Sequence, residues 1–133
     1  MFVTRRFILA AAALGASLSS HQARSLVSMR HSNGAAMRLL TLVAAPASAL
    51  EIGRIYLAQC PEEEGIVTLT RLILSSMSLN SGDLAALDCQ ALPARVTSRV
   101  RTDFERGVTV EIGGWILSRT EARLCALWTS APA

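Results

Sequence analysis

Three cysteines, three consecutive glutamates and a set of arginines are the residues in this 133-residue chain that could carry chemistry. Cys60, Cys89 and Cys125 are an odd number of thiols, and their spacings match neither a CxxC redox pair nor a zinc site. In an oxidising compartment two of them can close a disulfide, and Cys60 with Cys89 is the pair to test first. Cys125 falls on the apolar side of a helical pattern, where a thiol is an inert core residue. Glu62, Glu63 and Glu64 resemble an acid/base or metal-binding cluster. They follow Pro61, however, and carboxylates after a proline suit the positive end of a helix. Both histidines, His21 and His31, lie far upstream of these groups, and lysine is absent. Without a histidine or lysine close by, the serines have no general base and the thiols no activating partner. The sequence therefore offers no catalytic residues, no metal site and no cofactor motif.

The charge distribution divides the chain. Arg5, Arg6, Arg24, Arg30 and Arg38 are the only charged residues before position 51, whereas residues 51–133 carry eight arginines and all ten carboxylates. The net charge of +3 thus belongs to the front of the chain, and the remainder is acidic, at −2. Nucleic acid is excluded on that ground: the arginines of residues 95–106 alternate with Asp103 and Glu105, and no stacking aromatics accompany them. Arg99 and Asp103, four apart, read as an exposed helical ion pair.

Arg5-Arg6 followed by the apolar run Phe7–Leu18 has the layout of an export signal, too short to span a bilayer that needs about 20 apolar residues. Thr4-Arg5-Arg6-Phe7-Ile8-Leu9 resembles the twin-arginine export motif, which implies passage through the twin-arginine machinery of an already folded protein and a periplasmic destination. Ala47-Ser48-Ala49 best meets the small-residue rule for cleavage, so the expected division is a leader over 1–49, disordered or an isolated helix, and a domain over 50–133. Read from Met37, the second apolar run is itself a minimal signal sequence. An uncleaved leader would instead leave the protein attached to the membrane, which is otherwise touched only in transit.

The second part reads as a small, mainly α domain of three to five helices with one β-hairpin before the last. Ile52, Ile55 and Tyr56 line a short helix ended near Pro61. A second helix, opening at Pro61 with the three glutamates in its first turn, carries Ile66, Leu69, Leu72, Ile73 and Met77 at spacings of three and four. Asn80-Ser81-Gly82-Asp83 is a turn, Leu84–Leu87 a helical turn, and Pro93 restarts the chain. Val96, Val100 and Phe104 form the stripe of the next helix, with Gly107 as its left-handed cap. Val108, Val110 and Ile112 alternate as in a strand, Gly113-Gly114 make a two-residue hairpin turn, and Trp115-Ile116-Leu117 return. Ser118-Arg119-Thr120-Glu121 is a capping box opening the final helix through Ala122, Leu124, Cys125, Leu127 and Trp128.

The stretches "EIGRIYLAQCPEEE" and "VEIGGWILSRTEARLCAL" resemble small proteobacterial proteins with twin-arginine leaders, a group whose function is uncharacterised. The resemblance spans most of residues 50–133 and implies structural elements without an active site. An 84-residue domain is near the size at which a partner or staple is needed. Trp115 and Trp128 are of the residue type that dominates binding interfaces. The expected function is an exported accessory or partner subunit, non-catalytic, such as the small subunits that accompany periplasmic oxidoreductases. An independent periplasmic module binding a small ligand between hairpin and helices is the alternative.

Overall fold

The structure, a computed structural model, describes residues 25–132, with side chains described from Asn33 onward. Six α-helices and one hairpin follow in the order α1 (Ser25–Leu40), α2 (Pro46–Gln59), α3 (Ile66–Ser76), α4 (Ser81–Ala86), α5 (Ala91–Glu105), β1 (Thr109–Ile112), β2 (Trp115–Ser118) and α6 (Arg119–Ser130). The mainly helical architecture with a hairpin before the last helix is the one the residue pattern predicts. Residues 61–63 form a single 3-10 turn between α2 and α3. None of these helices is long and apolar enough to cross a membrane.

α6 is the central element, buried along Ala122, Leu124, Cys125, Ala126 and Leu127. α2 crosses it closely because the facing residues are small. A Cβ on Gly53 would lie 2.8 Å from the carbonyl carbon of Cys125 and would overlap its oxygen and the Thr129 hydroxyl. Ala49, one turn earlier on α2, is also buried. The sequence pattern marks Ile52 and Ile55 as the inward face, yet both are only half-buried. Gly53 and, one turn before it, Ala49 make the closest approach, since close packing rewards backbone proximity as well as side-chain volume.

The first helix changes the account of the front segment. Ala35, Ala36, Leu39, Leu40 and Leu42 belong to the same apolar core as Tyr56, Leu69, Ile73, Leu84 and Leu127. The expected division between residues 49 and 50 falls in the opening turn of α2, a helix started by Pro46 in its first turn. From Ala35 onward, the segment assigned to a leader packs with the domain.

Polar residues set the helix ends. α3 and α5 both finish in the Schellman arrangement: Leu79 N donates to Leu74 O at 2.9 Å, and Val108 N to Asp103 O at 2.8 Å. Gly107 takes the left-handed position after α5 with φ +68°, as its place in the sequence predicts. After α3 the same position is held by Ser78 at φ +57°, a conformation costly for a residue with a Cβ. The segment expected as a turn at Asn80–Asp83 is instead a capping box. Asn80 Oδ1 accepts from Asp83 N, and Asp83 Oδ2 from Asn80 N, both at 2.9 Å, and α4 starts there.

The hairpin forms in the predicted register, Ile112 opposite Trp115 and Thr109 opposite Ser118. Gly113 and Gly114 both have positive φ, which a two-residue turn of the twist-matching type requires. Alternation puts Val110, Ile112, Trp115 and Leu117 on one face, and burial of Ile112 and Leu117 shows that it is the face toward the helices.

Candidate functional site

Two polar clusters and one apolar projection contain most of the residues singled out above. The first cluster forms around Glu63. Of the three glutamates, only Glu63 is buried, and none caps α3, which begins three residues later, after Gly65 turns the chain at φ +115°. Glu63 Oε1 and Oε2 accept from Arg123 Nη2 and Nε at 2.6 and 2.8 Å, and Oε2 also accepts from the Tyr56 hydroxyl at 2.7 Å. The paired arginine holds the Glu63 carboxyl below the usual carboxylate range, against the opposing effect of burial. Burial first, and the bond to Glu63 second, push the Tyr56 phenol well above its ordinary value. Tyr56 is completely enclosed. A charged group this fully paired cross-links α2, the 3-10 turn and α6.

The second cluster corrects the reading of Arg99 and Asp103 as an exposed pair. Asp103 is 1 % exposed. Its Oδ1 accepts from Arg99 Nε at 2.8 Å, while Oδ2 accepts from the amide and hydroxyl of Thr120 at 3.1 and 2.7 Å. Thr120 is in the first turn of α6, so Asp103 places a carboxylate at that helix's positive end. Arg99 Nη1 meanwhile donates to Ser76 O in the last turn of α3 at 3.0 Å. One ion pair thus joins the negative end of one helix to the positive end of another, each charge with the sign the helix dipole favours. Phe104, expected on the inner stripe, is displaced outward and is 38 % exposed. The four-residue spacing of Val96, Val100 and Phe104 drifts around the helix, because a 3.6-residue repeat does not return to the same face after eight residues.

The predicted box at the start of α6 is present, with Ser118 Oγ accepting from Glu121 N and Glu121 Oε2 from Ser118 N, both at 3.0 Å. Burial raises the Glu121 carboxyl above its ordinary value.

Cys60 is half-buried, Cys89 exposed and Cys125 buried, and all three are free thiols, so the Cys60–Cys89 pair is not joined. Burial pushes the Cys125 thiol up to about 12, which removes the thiolate that reactivity requires. No group of three or more His, Cys, Asp or Glu side chains among the described residues is arranged to hold a metal ion.

Trp115 and Trp128 have different surroundings. Trp128 packs against the core from the last turns of α6. Trp115, at the hairpin tip, is 45 % exposed, and the neighbouring Ile116, on the outer face opposite Glu111, is 48 % exposed. An open cleft of about 380 Å³ lies elsewhere, lined by Ser78, Leu79, Asp83, Ala86, Leu87 and Arg95 at the ends of α3, α4 and α5. The hairpin contributes nothing to it, and the Asp83 carboxylate is already engaged in its cap. Ala47 and Ala49 lie in the first turn of α2, while Arg5 and Arg6 are outside the described residues.

No protein-family model matches the chain, and no curated protein and no solved structure matches it.

Proposed function

We propose that the chain is an exported, non-catalytic accessory or partner subunit, of the kind suggested by its resemblance to small proteobacterial proteins with twin-arginine leaders. Its hairpin tip docks on a second protein in the periplasm, with an oxidoreductase as the expected partner class. The observation that supports docking is the exposure of Trp115 at the hairpin tip, with Ile116 exposed on the opposite face, in a short strand whose other residues, Leu117 and Ser118, are buried. An aromatic ring on a framework fixed by a glycine turn and a capped helix loses little entropy on contact, which is the character of an interface anchor. The charged groups that could suggest reaction chemistry, Glu63 with Arg123 and Asp103 with Arg99, are engaged in holding elements together.

Affinity capture of the tagged chain from a periplasmic fraction tests this reading. A stoichiometric oxidoreductase that co-elutes with the natural chain, and is lost with Trp115→Ala, is the expected result. The alternative, an independent module binding a small ligand between hairpin and helices, predicts instead a monomer that carries a small molecule and no protein partner.

A further inference from the structure

Resting on the export reading, the packing of residues 35–49 bears on where the chain is cut. The small-residue rule selects the bond after Ala49. In the fold that bond lies in the opening turn of α2: Ala49 N donates to Ala45 O at 2.9 Å, and the Thr129 hydroxyl approaches the carbonyl of Leu50 at 3.3 Å. Ala49 itself is 1 % exposed. Peptidases take their substrates as extended strands whose main-chain groups pair with the enzyme. Presenting Ala47–Leu50 in that form requires unwinding the start of α2 and withdrawing Ala49 from beside α6.

The consequences upstream point the same way. Leu39 is fully buried, with Ala35, Ala36, Leu40 and Leu42 beside it in the core. Arg38 donates to the carbonyl oxygens of Leu84 and Leu87, the latter at 3.0 Å, at the end of α4. It therefore supplies a donor to the Leu87 carbonyl and a second one to Leu84 O, which already accepts from Leu87 N at 3.2 Å, with the charge the helix's negative end favours. Loss of residues 1–49 would uncover the apolar surfaces that α1 covers and take the Arg38 donor from the Leu87 carbonyl.

We propose that Ala35–Ala49 is a permanent part of the folded protein, that the Ala49–Leu50 bond is protected by the fold, and that processing removes only residues amino-terminal to Ala35. A chain that is exported already folded meets the peptidase with α2 formed, so a local sequence match after Ala49 is not sufficient for cleavage. The permanent segment also makes the folded unit larger than an 84-residue domain.

Two measurements test this. The first is the amino terminus and intact mass of the protein recovered from fractionated cells, natural chain beside Ala47→Glu. Ala47 is exposed in the first turn of α2, where a glutamate suits the fold but blocks a small-residue recognition pocket. The expected product begins at or before Ala35 in both chains, with the same fraction processed. A product beginning at Leu50, or precursor accumulating with Ala47→Glu, overturns the proposal. The second measurement is elastase cleavage, after small side chains, of the purified full-length chain. Cutting at Ala49–Leu50 is expected to be at least tenfold slower in buffer than in urea; equal rates overturn the proposal. Recovery of the chain uncut in the cytosol would end the export reading, while the protease measurement would still decide the status of Ala35–Ala49.

Discussion

The α2–α6 contact and the hairpin tip are both built from small or apolar residues, yet they are completed differently. At the contact, Gly53 and Ala49 let two helices approach until α2 backbone meets the Cys125 carbonyl, and Glu63, Arg123 and Tyr56 close one edge with a fully paired charge. At the tip, Gly113 and Gly114 serve only to reverse the chain, and the Trp115 and Ile116 side chains beside them remain about half in solvent. The first region is complete within the chain. The second holds its shape without covering its apolar residues, and that contrast separates the residues that maintain the fold from those free to meet another molecule.

The α2–α6 contact is most easily disrupted at Gly53. Gly53→Leu forces a side chain against backbone that cannot move without separating the helices, and should cost about 3 kcal/mol or more. Thermal or urea unfolding followed by circular dichroism measures the loss; a variant within 1 kcal/mol of the natural chain would mean that the helices are not in contact there. Arg123→Ala should cost about 3 kcal/mol, because it leaves the Glu63 carboxylate buried with only Tyr56 as a donor.

The Glu63 carboxylate makes the stability of this region depend on pH. Its folded-state value lies below the ordinary one, so its contribution is complete above about pH 4.5 and is lost as pH falls through the lowered folded value. The stability difference between the natural chain and Glu63→Gln should therefore shrink as the pH is lowered from 6 toward 3. A difference that stays constant across that range would show that the lowered carboxyl is not Glu63. Burial of Glu121 acts with the opposite sign, favouring the fold as pH falls, and subtracting the two unfolding curves removes it.

Smaller effects follow at the helix ends. Ser118→Ala should cost about 1 kcal/mol through loss of the cap on α6. Ser78→Gly should stabilise by roughly 0.5–1 kcal/mol, since glycine takes the left-handed position without Cβ strain and loses part of the gain to backbone entropy. Both are read from chemical denaturation midpoints, and a Ser78→Gly variant less stable than the natural chain would contradict the strain at that position. Trp115→Ala should change stability by about 1 kcal/mol, as expected for a side chain about half in solvent at the hairpin tip.

The elements whose signals are local were legible in the sequence. The hairpin register follows from alternation and a Gly-Gly turn, the α6 start from Ser118 and Glu121, and the α5 end from Gly107. Asn80 and Asp83 carry a signal of the same kind, a capping side chain followed three residues later by a carboxylate, but Asn-Ser-Gly-Asp is equally the composition of a turn. What was not legible depends on contacts between distant residues. Glu63 differs from Glu62 and Glu64 only because Arg123 lies opposite it, and Asp103 is buried because the start of α6 needs an acceptor there. The core role of Leu39 and Leu42 was hidden for another reason: an alanine- and leucine-rich run has the same composition whether it is passed to a membrane or packed against helices. Of the two tryptophans, sequence marks both as interface residues, and only burial separates Trp128, against the core, from Trp115 at the tip.

The mass of the native assembly, measured on protein purified under non-denaturing conditions from fractionated cells with Trp115 intact and with Trp115→Ala, tests the central claim most directly. A heteromeric particle for the natural chain and a folded monomer of slightly lowered melting temperature for the variant are the predicted results. A natural chain that is already a monomer there, or a variant that keeps its partner, would contradict the assignment of the hairpin tip as the docking surface.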